Sequence, residues 1–374
     1  MGKHLVIVGG GHAHLTVLLR CREYIEQGHR VTLVNPSPYH YYSGMGPGML
    51  AGTYRPQDIR FHVRKTAEDR GATFVEDAVL RVEAAARLLH LRSGKTLGYD
   101  VVSFNTGSVV QLPARVEGSE NVFIVKPIVS LQKAQKAVLK VISRKTAKIV
   151  VIGGGPAGVE MAGNVWRLVH DHHGQAHITL VAGGRILGEY PEQVRRMARN
   201  SLARRGIVVR EAAYAEAIGR NEVELADGER LPTDITLVAT GVTPSSIFKD
   251  SGLPIGPDNG LLVDRFLRST AYPEIFGGGD CVSFAPRPLA KVGVYAVREN
   301  MILHRNIFAA LNHGTMTPFE PQRKFLLIFN MGDNRAILIR NNFAWDGRPA
   351  WWIKDRIDRG FMRKFQVSGE REEP

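Results

Sequence analysis

Two glycine-rich turns constrain this chain more than any other feature. The first lies in KHLVIVGGGHAH (residues 3–14) and the second in KIVVIGGGPAGVE (residues 148–160). Each ends a short apolar run and opens a helical pattern. Each is followed by a second apolar run, Val31-Thr32-Leu33-Val34 and Ile178-Thr179-Leu180-Val181. Strand, glycine turn, helix, strand is the opening of a βαβ dinucleotide-binding unit. Its helix start offers backbone N–H groups and the positive end of the dipole to a pyrophosphate. In the first turn Gly9 permits the sharp bend and Gly11 is expected to let the backbone approach the phosphates, but His14 stands where a third glycine belongs. In the second, Gly153, Gly155 and Gly158 complete GxGxxG. A pair of such units in one chain implies two dinucleotide sites.

The acidic residue that ordinarily binds a ribose diol is missing from both units. The first ends its second strand in Asn35, which can still donate and accept hydrogen bonds. The second ends in Ala182-Gly183-Gly184-Arg185. No carboxylate there repels a 2′-phosphate, and Arg185 is read either as its partner, which leans towards NADPH, or as a solvated loop residue. The 374 residues hold only two cysteines, Cys21 and Cys281. That excludes a disulfide framework, a four-thiolate zinc site and an iron–sulfur cluster, and it argues for a reducing compartment. No apolar run is long enough to span a bilayer. The chain begins almost at once with a strand, so the expected address is the cytoplasm. A formal charge of +13 favours acidic partners such as phosphorylated cofactors or anionic lipid.

Further stretches carry a resemblance. Tyr99-Asp100-Val101-Val102-Ser103-Phe104-Asn105-Thr106-Gly107, Leu237-Val238-Ala239-Thr240-Gly241 and Ile275-Phe276-Gly277-Gly278-Gly279-Asp280 follow the glycine turns in order. Together they resemble the two-dinucleotide-binding flavoproteins of the pyridine nucleotide-disulfide oxidoreductase superfamily. Within it the chain looks like type II NADH dehydrogenases and sulfide:quinone reductases. A bacterial branch associated with selenide, water dikinase resembles it through GGGHAH, Tyr42-Ser43-Gly44-Met45-Gly46-Pro47-Gly48, Asn330-Met331-Gly332-Asp333 and the Trp351-Trp352 ending. One departure is informative. Disulfide reductases of this fold carry a cysteine pair on the helix after the first strand pair, and residues 41–50 here contain none. A dithiol relay is excluded, and Cys281 alone near the flavin disfavours sulfide oxidation by a two-cysteine route.

The resemblance implies an α/β protein with two Rossmann-like domains and a small C-terminal α+β region. Residues 1–120 and 246–315 would form a discontinuous FAD domain, with 121–245 as an inserted NAD(P) domain. The latter opens on a predicted helix over 130–145, where Leu131, Ala134, Val138, Val141 and Ile142 share a face. Its lysines read as a solvated face, because no nucleic-acid motif accompanies them. In the tail, 316–374, a strand at 325–329 and a second at Ala336–Arg340 predict a hairpin about Gly332-Asp333-Asn334. Residues 351–365 predict a helix with Ile353, Ile357, Phe361 and Phe365 at i, i+4 spacing, widened by Trp352 and Met362. Arg348, Lys354, Arg356, Arg359, Arg363 and Lys364 outnumber Asp355 and Asp358 there. Two readings stand: an interfacial helix on the inner face of the cell membrane, or packing onto its own FAD domain or the mate in a homodimer.

The resemblance also implies the site. FAD would lie along Gly9, Gly11, His12, Ala13, Asn35, Pro36, Val79, Thr106, Gly107, Gly279, Asp280, Val292 and Gly293, with Asp280 holding the ribityl hydroxyls. NADH or NADPH would lie along Gly153, Gly155, Pro156, Gly158, Arg185 and Gly241, with Glu160 near the nicotinamide. A helix beginning near Lys291 would aim its positive end at the flavin's pyrimidine edge, and Lys291 reads either as a stabiliser of the reduced form or as a surface lysine. Tyr39, His40, Tyr41, Tyr42 and Met45 would border the opposite face, where electrons leave to a quinone-like or other small acceptor. Cys21 is placed on the first helix. His12 and His14 are read as packing at the pyrophosphate, with no metal ligand set in the chain. Two alternatives follow: a flavoprotein acting on a selenium or sulfur compound, and a non-catalytic nucleotide-binding protein.

Overall fold

The computed structural model describes residues 2–112, 115–322, 324–341 and 343–373. Its two largest sheets are each five-stranded and parallel, and they repeat one design. In the first the order is Ile275–Gly277, Val101–Phe104, His4–Val8, Arg30–Asn35, Thr73–Glu76. In the second it is Val122–Ile124, Ile235–Val238, Ala147–Ile152, Ala176–Val181, Val208–Arg210. In both, the strand that runs into the glycine turn lies at the centre and pairs on one side with the strand that follows the turn's helix. The central strands are rich in β-branched and apolar residues because helices and loops cover both faces. His4–Val8 is buried throughout.

Each unit inserts an antiparallel meander of three strands before its Val101–Phe104 or Ile235–Val238 strand, and Arg115–Val116 adds a parallel strand to the second. The meanders are Val79–Glu83, Leu88–Leu91, Thr96–Gly98 and Ala215–Ile218, Glu222–Leu225, Arg230–Pro232. The chain leaves the first sheet after Phe104, builds the second, and returns at Ile275. Helix Gly293–Asn312 then closes the first unit, its buried Asn300 accepting from Thr16 (2.9 Å) and His304 meeting Tyr24 (2.8 Å). The predicted helix over 130–145 is found at Ser130–Ile142, with Leu131, Ala134 and Val138 buried. Lys133, Lys136 and Lys140 face solvent.

Three local expectations change. The first helix breaks at Arg20, so Cys21 starts a second short helix, Cys21–Glu26. The helix expected near Lys291 begins at Gly293, because Val292 is extended (φ −123°, ψ 138°) and acts as its N-cap. The tail forms three antiparallel strands in place of a hairpin: Leu327–Asn330, Ala336–Arg340 and Phe343–Gly347. Helix Arg348–Phe365 follows.

The tail touches both Rossmann units. Its first turn lies against helix Pro156–Asp171 of the second unit so closely that a side chain on either contacting glycine would clash. A Cβ on Gly163 would meet the Met331 carbonyl oxygen at 2.3 Å, and one on Gly332 would meet the Gly163 carbonyl oxygen at 2.1 Å. Asn164 and Asn330 exchange hydrogen bonds across the contact. The C-terminal half of helix Arg348–Phe365 packs on the first unit through Phe361, Met362 and Phe365.

Candidate active site

The two glycine turns are built alike. Gly9 (φ +88°) and Gly153 (φ +133°) each pass so near the neighbouring strand that a Cβ would lie 2.4 Å from the Asn105 oxygen or 2.2 Å from that of Ala239. Only glycine meets both demands. In the second turn a Cβ on Gly158 would stand 1.7 Å from the Gly153 carbonyl oxygen. His14 occupies the matching place in the first turn. A 3₁₀ turn over His12–His14 makes room, and the imidazole takes over the contact: Nδ1 donates to the Gly9 carbonyl (2.6 Å) and Nε2 meets the Ser103 hydroxyl (2.8 Å). Burial pushes the His14 pKa down to about 4, against the pull of the Gly9 carbonyl, so the ring is neutral.

Two asparagines lock the first turn. Asn35 accepts from the Gly10 N–H (2.9 Å) and donates to the Ser37 carbonyl (2.5 Å), so its carboxamide braces the turn. Asn105 accepts from the Ala13 N–H (3.1 Å) and donates to the Gly278 carbonyl (2.6 Å). Gly11 is glycine for a reason other than open approach: its Cβ direction is filled by the Asn105 carboxamide, at 2.1 Å. Gly155 does face open space, with nothing within 4 Å of a Cβ. Pro36, Thr106, Arg185 and Gly241 are exposed, and Val79 is half-buried at the start of its meander.

Asp280 sits in a 3₁₀ turn, Gly279–Cys281, at the end of the last strand of the first sheet. Its Oδ2 accepts from Ser108 (2.8 Å) and pairs with Lys126 (2.6 Å). Behind it Glu299 accepts from the Gly279 N–H (2.5 Å). Burial pushes Glu299 up to about 7; the Asp280 charge adds to this while the Gly279 N–H and Lys291 oppose it. The Lys291 ammonium is taken up by the Val282 carbonyl (2.6 Å) and by Asp258 (2.6 Å). It is therefore a tethered lysine, neither a surface one nor an unpaired cation facing the ring. Gly279, Asp280, Lys291, Val292 and Glu299 line one cavity.

A second group of residues forms an aromatic wall. His12 and His40 meet edge to face at 4.7 Å, His12 and Tyr42 at 5.3 Å, and Tyr42 and Phe361 at 4.8 Å. Tyr42 donates to Asp358 (3.0 Å), which is also held by Lys354 (2.7 Å); Lys354 donates in turn to the Gly44 carbonyl (2.8 Å). Burial raises the pKa of Asp358 and of the Tyr42 hydroxyl. Burial, with Lys126 adding, holds His12 at about 4, and the same burial holds His40 well below the usual imidazole range. Glu160 accepts from the Asn330 N–H (2.7 Å), and burial pushes it up to about 7 against the Lys354 charge. Met45 is buried beneath the wall, Tyr41 is half-buried, and Tyr39 donates to Glu373 (3.0 Å).

The family model for pyridine nucleotide-disulphide oxidoreductases matches residues 3–301. The chain belongs to that family. Among curated proteins it is similar to a type II NADH:quinone oxidoreductase of Staphylococcus aureus, 24% identical, with 98% of this chain and 96% of the other covered. Among solved structures it is similar to NDH2 of Plasmodium falciparum in complex with NADH (TM-score 0.83, 14% identity, 99% and 98% of the chains covered). It is also similar to the sulfide:quinone oxidoreductase of Aquifex aeolicus (TM-score 0.78, 18% identity, 98% and 92% covered). The resemblance read from the motifs and the α/β fold with two Rossmann-like units are both borne out.

As a pyridine nucleotide-disulphide oxidoreductase the chain is an NAD(P)H-dependent flavoprotein that works with FAD. Its residues fit the flavin cofactor. The N–H groups of Gly11 and His12 meet no protein acceptor among the described residues, and the His12 Nε2 atom is buried without a partner. Neither cysteine is prepared as a thiolate: burial pushes Cys281 up to about 11 and Cys21 up to about 12. Lys126, Ser108, Asn105, Glu299, Lys354 and Asp358 were not singled out from the sequence as site residues. Asn105 lies within the Tyr99–Gly107 stretch and Lys354 within the Trp351–Asp355 ending.

Proposed function

We propose that this protein takes hydride from NAD(P)H onto its flavin and passes the electrons to a quinone-like small acceptor without a redox dithiol. FAD, when bound, supplies the two-electron carrier. The observation that carries the reading is the wall of His12, His40, Tyr42 and Phe361, standing beside the cysteine-free segment 41–50. A flat apolar acceptor fits between such rings, and the neutral imidazoles supply hydrogen-bonding groups. The type II NADH:quinone oxidoreductase among its relatives supports the choice of acceptor.

In this reading residues 1–120 and 246–315 hold FAD, residues 121–245 hold the nicotinamide nucleotide, and 316–374 close the acceptor side. Asp280 and Lys126 orient the ribityl chain. The turn at 9–13 cradles the pyrophosphate, Pro36 and Val79 flank the adenosine end, and Thr106, Gly107, Val292 and Gly293 line the ring. The turn Gly153, Gly155, Pro156 and Gly158, with Gly241 beside it, receives NAD(P)H, and Glu160 sits near the nicotinamide. Hydride transfer then needs only alignment of the two rings.

The helix Arg348–Phe365 divides its labour. One face, Ala350, Asp358, Met362 and Phe365, is buried along the whole length, while Trp352 (62% exposed), Ile353 (39%) and Ile357 (50%) lie on the solvent face with Arg356. No helix among the described residues is long and apolar enough to cross a membrane. An exposed apolar and basic patch suits peripheral contact with anionic lipid, which would bring the acceptor side to a membrane-dissolved quinone. The test is anaerobic mixing with NADH and with NADPH, followed by a soluble quinone, while the flavin absorbance is recorded. Bleaching by a donor and recovery with quinone are expected. A flavin bleached by sulfide or selenide but by neither nucleotide overturns the proposal.

A further inference from the structure

The second nucleotide cradle differs from the first at its adenosine end. We infer that the donor it selects is NADPH, that Arg185 makes the choice, and that Tyr214 holds the base common to both donors. The inference rests on the donor site proposed above and goes on to say which nucleotide that site takes.

The duplication supplies the comparison. In both units the glycine turn is pinned by the same bond, Gly9 N–H to Val34 O (2.9 Å) and Gly153 N–H to Val181 O (2.8 Å). Asn35 therefore corresponds to Ala182. The asparagine fills the corner beside the first turn with a carboxamide, while Ala182 leaves that corner without a polar side chain. The next residues, Gly183 and Gly184, add none. A carboxylate at this place binds a ribose diol and repels a 2′-phosphate; its absence removes both effects.

Arg185 then supplies the positive charge. It is exposed, and its guanidinium meets no carboxylate among the described residues. Its backbone is held in place, because the Ile186 N–H donates to Glu211 (2.7 Å) and the Leu187 N–H to the Gly154 carbonyl (2.7 Å). Glu211 is the carboxylate that bonds to this loop, at the Ile186 N–H. It is already engaged by Arg199, with Arg195 at 4.0 Å. The loop thus places a cation directly after Ala182-Gly183-Gly184, with its own exposed carboxylate, Glu189, further along beyond the tethered Ile186 and Leu187.

Tyr214 completes the subsite. The Ala226 N–H bonds to its carbonyl (2.8 Å) as the Arg92 N–H bonds to that of Ala78 (2.8 Å) in the first meander, so Tyr214 replaces an alanine. Its side chain is 65% exposed, and the ring lies so close over Gly183 that a Cβ there would meet it at 2.5 Å. A large aromatic ring left in solvent at the rim of a nucleotide cradle is a surface on which a base can stack.

The test separates the donor choice from the reading beneath it. Calorimetric titration of the purified flavoprotein with 2′,5′-ADP and with 5′-AMP reads the adenosine end without any hydride transfer. The wild type is expected to bind 2′,5′-ADP at least about 10-fold more tightly. In Arg185→Ala that advantage disappears while 5′-AMP binding stays within about 2-fold, and Tyr214→Ala weakens both ligands alike. The ratio of kcat/KM for NADPH over NADH should fall by about 10- to 100-fold in Arg185→Ala. Equal binding of the two ligands by the wild type, with the flavin still bleached by NADH, overturns the choice of NADPH alone. Failure of both nucleotides to bleach the flavin overturns the donor site itself.

Discussion

Replacing His14 by glycine would complete the GxGxxG pattern of the first turn, and the structure says that it should damage the protein. The imidazole is fully buried and satisfies the Gly9 carbonyl and the Ser103 hydroxyl. His14→Gly leaves both groups without that partner, at about 1–3 kcal/mol each. A glycine in the first helical turn costs roughly 1 kcal/mol more. The expected loss is about 3–7 kcal/mol, a fall in apparent Tm of at least roughly 6 °C at about 2–4 °C per kcal/mol. The assay is thermal unfolding of both proteins with FAD in excess.

The pH dependence supplies an independent check on the same residue. The His14 pKa is near 4 in the fold and 6.5 when unfolded, so the unfolded chain binds the extra proton between these values. Its contribution is present above about pH 6.5 and is lost as the pH falls towards 4, by up to about 3 kcal/mol. His12 and His304 are held down as well, but they act equally in both proteins and cancel. The gap between wild type and His14→Gly should therefore narrow from pH 7 to pH 5. A variant as stable as the wild type, or a gap that ignores pH, would refute this account of the turn.

Three further outcomes are expected. Lys126→Met removes the cation from Asp280 and should weaken FAD binding by about 10-fold or more, read by fluorescence titration of the apoprotein; unchanged affinity would place Asp280's function elsewhere. Glu160 titrates near 7, so kcat/KM for the nucleotide should change across that pH in the wild type and stay flat in Glu160→Gln; parallel profiles would remove Glu160 from the donor site. The triple change Trp352→Ser, Ile353→Ser and Ile357→Ser should lower co-sedimentation with anionic vesicles by roughly 10-fold while leaving flavin bleaching intact, and equal co-sedimentation would rule out this patch as the contact.

What could be read in advance was local. The strands beside the glycine turns announce themselves as β-branched runs, because a parallel strand is buried on both faces. The last helix is legible from its i, i+4 stripe, although the stripe does not say that Phe361 and Phe365 pack inward while Ile353 and Ile357 turn to solvent. The third tail strand was missed: Arg340 pairs with Phe343 across a tight turn in which Asn341 adopts φ +57°, a conformation asparagine tolerates. The site residues that escaped notice have a common cause. Lys126 meets Asp280 across 154 positions and Asp358 meets Tyr42 across 316. No spacing rule reaches that far, and only the return of the chain to the first sheet brings them together. The Lys291 tether to Asp258 could not be read either, since Asp258 belongs to a loop with no motif of its own.

The tail binds each Rossmann unit by a separate grip, Gly332 against Gly163 on one side and Asp358 with Phe361 against Tyr42 on the other. A swing of one nucleotide lobe away from its fellow must loosen at least one of those grips. The closing sixty or so residues therefore act as a tie-bar between the two lobes. Trimming that bar from the gene should do more than bare an aromatic wall: it should let the two lobes drift, so that hydride delivery falters even with both cradles whole.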